Sequence, residues 1–103
     1  MIKVNVLREN NLISNVKIFG HSGYAEYGSD IVCAAVSSIV TTTVNGILSI
    51  NETIKATDDG EVLEIVVLEH NDVTDKLLFN MIKLFEGIET QYKENLKVLT
   101  KGE

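Results

Sequence analysis

The side chains best suited to chemistry are a cysteine and a histidine twelve residues apart. Cys33 follows Ser29 and Asp30, two residue types that often precede a helix. If Asp30 caps that helix, Cys33 lies in its first turn, where backbone N–H groups and the positive helix end stabilise a thiolate. His21 lies in a glycine-rich segment that can fold back and bring an imidazole to the helix start. A thiol, a base and backbone donors are the groups that nucleophilic acyl chemistry requires.

Each of these residues also has an ordinary structural interpretation. A lone cysteine in an apolar run is commonly a small buried hydrophobe, and a loop histidine is often a surface or turn residue. Asp30 can serve only as a helix cap, and Tyr24 and Tyr27 can be packing groups. Ser37 and Ser38 lie one turn after the cysteine, where their hydroxyls either bond back to the helix or face a site. Residue types and spacing leave both interpretations open.

Composition and motifs exclude several other classes of protein. Two histidines and one cysteine are too few and too scattered for a metal site, and His70 is interpreted as a turn residue. No segment matches a phosphate-binding loop, a dinucleotide fingerprint or a Ser-His-Asp signature, so we expect no cofactor. The net charge of −6 argues against direct nucleic-acid binding and suits a basic partner or none. A single cysteine allows no internal disulfide, which fits a reducing cytoplasm.

The length and the apolar pattern predict one domain over residues 1–103. A composition of 45% hydrophobic and 23% charged residues is typical of a folded domain. No apolar run reaches the roughly 18 residues of a membrane span. Residues 1–6 alternate like a strand and lack the features of a signal peptide.

The hydrophobic pattern predicts five strands and two helices. Strands are expected over residues 1–7, 13–19, 53–57, 62–68 and 96–100. Asn10-Asn11 and Asp58-Asp59-Gly60 are hairpin turn signals, and the second is interpreted as a solvated tip. Residues 20–29 show neither the two-residue alternation of a strand nor the spacing of a helix, which predicts a long glycine-hinged loop. The order is ββαββαβ, which predicts an α+β fold with two helices packed on a mostly antiparallel sheet.

The two predicted helices differ in character. Residues 31–50 are apolar around most of the helix, so this helix should be central and well buried. Asp72 is expected to cap the second helix, with Asp75 at its third position. One face of the second helix should contact the core, through the apolar residues Val73, Leu77, Met81, Leu84, Phe85 and Ile88.

The loop and the start of the first helix resemble the ribosomal-processing cysteine proteases of the Prp family. The resemblance rests on Gly20-His21, Glu26-Tyr27-Gly28 and residues 30–37, Asp-Ile-Val-Cys-Ala-Ala-Val-Ser. It extends over the whole chain in length and in element order. It implies a homodimer whose nucleophile falls on Cys33, whose base falls on His21 and whose acid falls on Asp30. Substrate contacts are expected from the loop and helix residues Gly20, Tyr24, Tyr27 and Ser37.

The resemblance also implies a substrate. The family removes a short N-terminal extension from large-ribosomal-subunit protein twenty-seven, cutting before a small residue that follows two aromatic ones. The acidic chain complements such a basic ribosomal protein. Two other functions are weighed: a non-catalytic ribosome-associated binding protein with an inert thiol, and a thiol redox sensor. The sensor hypothesis lacks a resolving cysteine in the chain.

Overall fold

The computed structural model of the chain describes residues 1–20 and 29–103, with side chains for 1–20 and 31–103. It confirms the predicted α+β class and element order. The elements are β1 (Ile2–Glu9), β2 (Leu12–Phe19), α1 (Ser29–Leu48), β3 (Ile54–Asp58), β4 (Val62–Val67), α2 (Asp72–Gln91) and β5 (Leu96–Gly102).

The five strands form one sheet in the order β3-β4-β2-β1-β5. Every neighbouring pair is antiparallel except β1 and β5, which are parallel. The predicted turn between β1 and β2 is confirmed, because Asn10 and Asn11 have φ values of 54° and 65°, which asparagine tolerates. Alternate residues Ile2, Val4 and Val6 of β1 are buried, so one sheet face contacts the helices while the other faces solvent.

Helix α2 begins and faces the core differently from the prediction. Its cap is Asn71, one residue before Asp72, and the Asn71 side chain accepts a hydrogen bond from the Thr74 backbone N–H at 2.8 Å. Val73 and Leu84, predicted to contact the core, are 40% and 46% exposed. The buried face is rotated toward Thr74, whose hydroxyl pairs with that of Thr53 at 2.5 Å. The hydrophobic pattern missed this face because a paired hydroxyl can be buried at low cost.

Helix α1 is less buried than the prediction of a central helix requires. One stripe contacts the core, through Val32, Val36, Val40 and Ile47, whereas Ile31 is 58% exposed. The window Ile31–Leu48 is long and apolar enough to cross a membrane, although no uninterrupted apolar run reaches that length, and 22% of it is buried. Core helices of soluble proteins meet the same criterion of length and composition. The prediction was wrong because α1 lies beside α2 on the sheet rather than between two layers.

Candidate active site

Cys33 lines a cavity of about 310 Å³ on the helix side of the sheet. The cavity lies between α1, the end of β2 with the start of β1, and the turn between β3 and β4. Its walls are formed by Ile2, Ile18, Phe19, Gly20, Cys33, Val36, Ser37, Val40, Thr41, Asp58, Gly60, Glu61 and Leu63. This volume lies within the range of small-molecule sites, about 300–1,000 Å³.

The helix fixes the position of the thiol. Val32 and Val36 are 0% and 4% exposed and anchor this part of α1 against the sheet. Cys33, between them in sequence, is half-buried, packs against the hydrophobic core and contributes to the cavity wall. The alternative that Cys33 is only a small buried hydrophobe therefore accounts for just part of its environment. The same side chain borders a cavity that a ligand can enter.

Helix α1 begins slightly earlier than the proposed cap would allow. Ser29 is already helical, so Asp30 is the second residue of α1 and Cys33 the fifth. The cap position predicted for Asp30 is therefore corrected to a position within the first turn, because the helix continues one residue further back. Cys33 begins the second turn, about one turn from the end where unpaired backbone N–H groups concentrate.

Gly20 controls how the chain leaves β2. Its φ is +86°, and a Cβ there would collide with the Met1 carbonyl oxygen at the start of β1. Glycine is therefore required for backbone reasons that the substrate-contact prediction did not include. Gly20, the last described residue of this segment, lies at the cavity.

Of the predicted site residues, the structure brings Gly20, Cys33 and Ser37 to one cavity. His21, Tyr24 and Tyr27 lie outside the described residues, as does the side chain of Asp30. The two serines separate: Ser37 lines the cavity, whereas Ser38 lines a groove between α1 and α2. For Ser37 this favours the prediction of a substrate contact.

The turn between β3 and β4 was missed as part of the site. Asp58 and Glu61 form the wall across from α1 and remain exposed. Asp59, between them, accepts hydrogen bonds from the Val62 N–H at 2.7 Å and the Glu61 N–H at 2.9 Å. These two bonds, the first more strongly, lower the pKa of the Asp59 carboxyl from its usual value. The sequence identifies the turn, but it contains no signal that the turn faces α1.

Another ionisable group, His70, lies apart from this cavity. His70 Nδ1 contacts Asp75 Oδ1 at 2.7 Å next to the start of α2, consistent with its interpretation as a turn residue. Within residues 1–20 and 29–103, no group of three histidine, cysteine or acidic side chains is arranged to hold a metal ion.

Comparisons with known proteins agree over nearly the whole chain. The family model described as cysteine protease Prp matches residues 1–97. The ribosomal processing cysteine protease Prp of Staphylococcus aureus is 30% identical over 103 residues, covering 95% of this chain and 97% of that protein. The Bacillus subtilis protein of the same name is 31% identical over 109 residues, covering 97% of both chains.

Solved structures show the same similarity. A crystal structure of the S. aureus protease with a covalently linked product peptide has a TM-score of 0.85 and 30% identity, covering 98% of this chain and 100% of that one. A second, with a substrate peptide, has a TM-score of 0.90 and 28% identity, with the same coverage. In that relative, therefore, the fold binds peptides, one of them covalently.

Proposed function

Because the chain belongs to the Prp family of ribosomal processing cysteine proteases, we propose that it removes the N-terminal extension of large-ribosomal-subunit protein twenty-seven. The chain is a cysteine peptidase, and Cys33 is the only cysteine in its sequence. The position of that thiol on a cavity of about 310 Å³ is the observation that supports the proposal best. A non-catalytic binding protein would not require its one thiol to border a cavity.

In the proposed mechanism Cys33 is the nucleophile and His21 the base. His21 accepts the thiol proton, and the sulfur attacks the scissile carbonyl carbon to form a C–S bond. The C–N bond then breaks, and His21 returns the proton to the leaving amine. Water attacks the thioester, releases the carboxylic acid and restores the thiol. No step requires a metal ion or an organic cofactor.

The charge that develops on the carbonyl oxygen requires donors. Backbone N–H groups near the start of α1 are suited to this role because they are fixed and lie at the positive end of a 20-residue helix. We assign Asp30 a secondary role in the same turn, where its charge interacts favourably with the helix end. In this mechanism Asp30 orients the histidine or stabilises the helix and transfers no proton.

The cavity suits the proposed peptide in two respects. Its apolar lining, which includes Ile2, Ile18 and Leu63, can receive aromatic side chains that precede the cut. Its opposite wall carries Asp58 and Glu61, which complement a basic ribosomal protein. Burial of the aromatic groups would supply affinity, and the acidic wall would favour approach of a basic chain.

The proposal is tested with a peptide that copies the N-terminus of the ribosomal protein from the same organism. Mass spectrometry of the products should show one cut before a small residue that follows two aromatic ones. Cys33→Ala serves as the matched control and should yield no product. If the intact peptide persists with the unaltered protein, and iodoacetamide alkylates native Cys33 only slowly, the non-catalytic binding protein becomes the better hypothesis.

We also propose a cytoplasmic homodimer. The helices leave a groove of about 430 Å³ between them, lined by Ile39, Leu77 and Leu84 among others. Leu84 and Ile31 are 46% and 58% exposed, which is a substantial apolar area for a helix layer of this size. A second copy covering this layer would remove that area from water. A ribosomal substrate and a single cysteine favour the cytoplasm.

A further inference from the structure

The sheet face opposite the helices carries most of the positive charge of this acidic chain. Strand register places its residues in three rows across the sheet. These rows are Phe19, Lys3 and Lys97; then Thr57, Glu64, Lys17, Asn5 and Leu99; then Lys55, Val66, Asn15, Leu7 and Lys101. Five of the nine cationic residues of the chain therefore lie on this surface, which we call the lysine face.

The charges of the lysine face are accessible, and a single acidic residue of the three rows, Glu64, lies beside them. All five lysines are exposed, and among the described residues none of them forms an ion pair. Of the 15 acidic residues in the chain, the three rows contain only Glu64. The Glu64 carboxylate accepts a hydrogen bond from Asn15 Nδ2 at 2.9 Å rather than pairing with a lysine. The face is therefore strongly positive although the whole chain has a net charge of −6.

The centre of this face is a shallow depression of about 200 Å³. Its lining combines amide donors and acceptors, two lysines and two leucines: Asn5, Leu7, Asn15, Lys17, Leu99 and Lys101 among others. Lys3 and Lys97 are directly paired in register, and Lys101 is the neighbour of Leu7. Such a surface offers several ammonium donors around a shallow, partly apolar depression.

We propose that the lysine face binds the phosphate backbone of RNA. Polyanions are the partners that clustered, unpaired lysines recognise, and the contact with phosphates requires no base-specific pocket. A second copy of the chain is disfavoured because twofold pairing would place lysines against lysines. A lipid surface is disfavoured because only Leu7 and Leu99 offer large apolar side chains near the centre.

The choice of RNA over other polyanions rests on the proposed ribosomal substrate. The two surfaces of the sheet then have separate partners: the cavity wall with Asp58 and Glu61 lies on the helix side, and the lysine face lies on the other. A basic ribosomal protein bound to RNA presents both charges to an approaching enzyme. The net charge predicts no nucleic-acid partner for the chain as a whole, and the arrangement of its lysines argues for one at this surface.

The test measures binding of the full chain to a fluorescein-labelled RNA duplex by anisotropy across a salt series. Lys17→Gln with Lys101→Gln removes two charges from the lysine face. Lys76→Gln with Lys83→Gln removes the same charge from α2 and is the matched control. The Lys17→Gln, Lys101→Gln variant should bind the duplex more weakly. The slope of log K against log salt concentration should become shallower by about 2, roughly one for each lost phosphate contact. The α2 variant should keep both values.

Parallel measurements separate this proposal from the protease function. Peptide cleavage should be unchanged in both double variants, because neither lysine pair lines the cavity of Cys33. No duplex binding at low salt, or equal loss in the two double variants, would overturn the RNA proposal. Binding to vesicles containing phosphatidylserine but not to RNA would also overturn it. If the unaltered protein binds RNA but does not cleave the peptide, the protease proposal alone is contradicted.

Discussion

The thiol of Cys33 is the residue on which the proposed activity depends. We predict that Cys33→Ala and Cys33→Ser both lose peptide cleavage and remain folded, since the side chain is only half-buried. The serine variant should fail because a hydroxyl is a much weaker acid and nucleophile than a thiol. Cleavage by mass spectrometry and melting by circular dichroism measure the two effects. Cleavage near the normal rate by a folded alanine variant would contradict the assignment.

His21 is predicted to act as the base. His21→Ala should lower the cleavage rate by about two to four orders of magnitude, the usual contribution of general acid–base catalysis. We expect the melting temperature to change little, because the hydrophobic core of residues 1–20 and 29–103 is formed without this side chain. Steady-state kinetics on the peptide measure the rate. A large fall in melting temperature with normal cleavage would assign His21 a structural role.

Two variants of Asp30, a residue in the first turn of α1, test whether its charge is needed for catalysis. Asp30→Asn keeps the shape of the side chain and removes its charge, whereas Asp30→Ala removes both. We expect the Asp30→Asn variant to cleave the peptide at close to the rate of the unaltered protein. The Asp30→Ala variant should lose up to about 1 kcal/mol of unfolding free energy. Melting and cleavage are measured together on both variants. A stable Asp30→Asn whose rate is down about a hundredfold would make Asp30 part of the catalytic group.

At the scale of elements, the turn between β3 and β4 determines the shape of the cavity wall. Asp59 holds this turn as a carboxylate, and its pKa is lowered from 3.8 by the backbone N–H groups of Val62 and Glu61. The stabilisation is therefore present above the unfolded value of 3.8 and is lost as the pH falls through the folded value.

This dependence on pH predicts how an Asp59 variant behaves. Asp59→Ala should melt at a lower temperature than the unaltered protein near neutral pH, and the difference should narrow as the carboxylate is protonated. Asp59→Asn is the matched control, because its amide oxygen still accepts a backbone hydrogen bond. Melting curves across acidic pH test the point, and a difference that grows toward low pH would contradict it.

At the scale of the whole molecule, the apolar helix layer is expected to lie between two copies. Leu84→Asp places a charge in the groove between α1 and α2 and should convert a dimer to a monomer. Leu99→Asp is the control on the opposite sheet face, with a similar exposure of 43% against 46% for Leu84. Light scattering after gel filtration gives the mass. A dimer that survives Leu84→Asp but not Leu99→Asp would place the interface on the sheet.

The sequence alone determined much of this protein because the relevant signals are local. Alternation along β1, the Asn10-Asn11 turn and the apolar run of α1 each depend on neighbouring residues, so element order and fold class were predictable. The segment from Gly20 to Ser37 identified the family for the same reason, since its residue types lie in one stretch of chain. The comparisons then confirmed that family over residues 1–97.

Only the tertiary structure decided which distant residues meet. Glu61 is far from Cys33 in the chain, yet both border one cavity because β4 lies beside β2 in the sheet. Lys3 and Lys97 lie near opposite ends of the sequence, yet they are neighbours because β1 and β5 pair in parallel. Net charge and periodicity report sums and local repeats, whereas the cavity wall and the lysine face depend on strand order and register. These are set by the joint packing of all seven elements against one core.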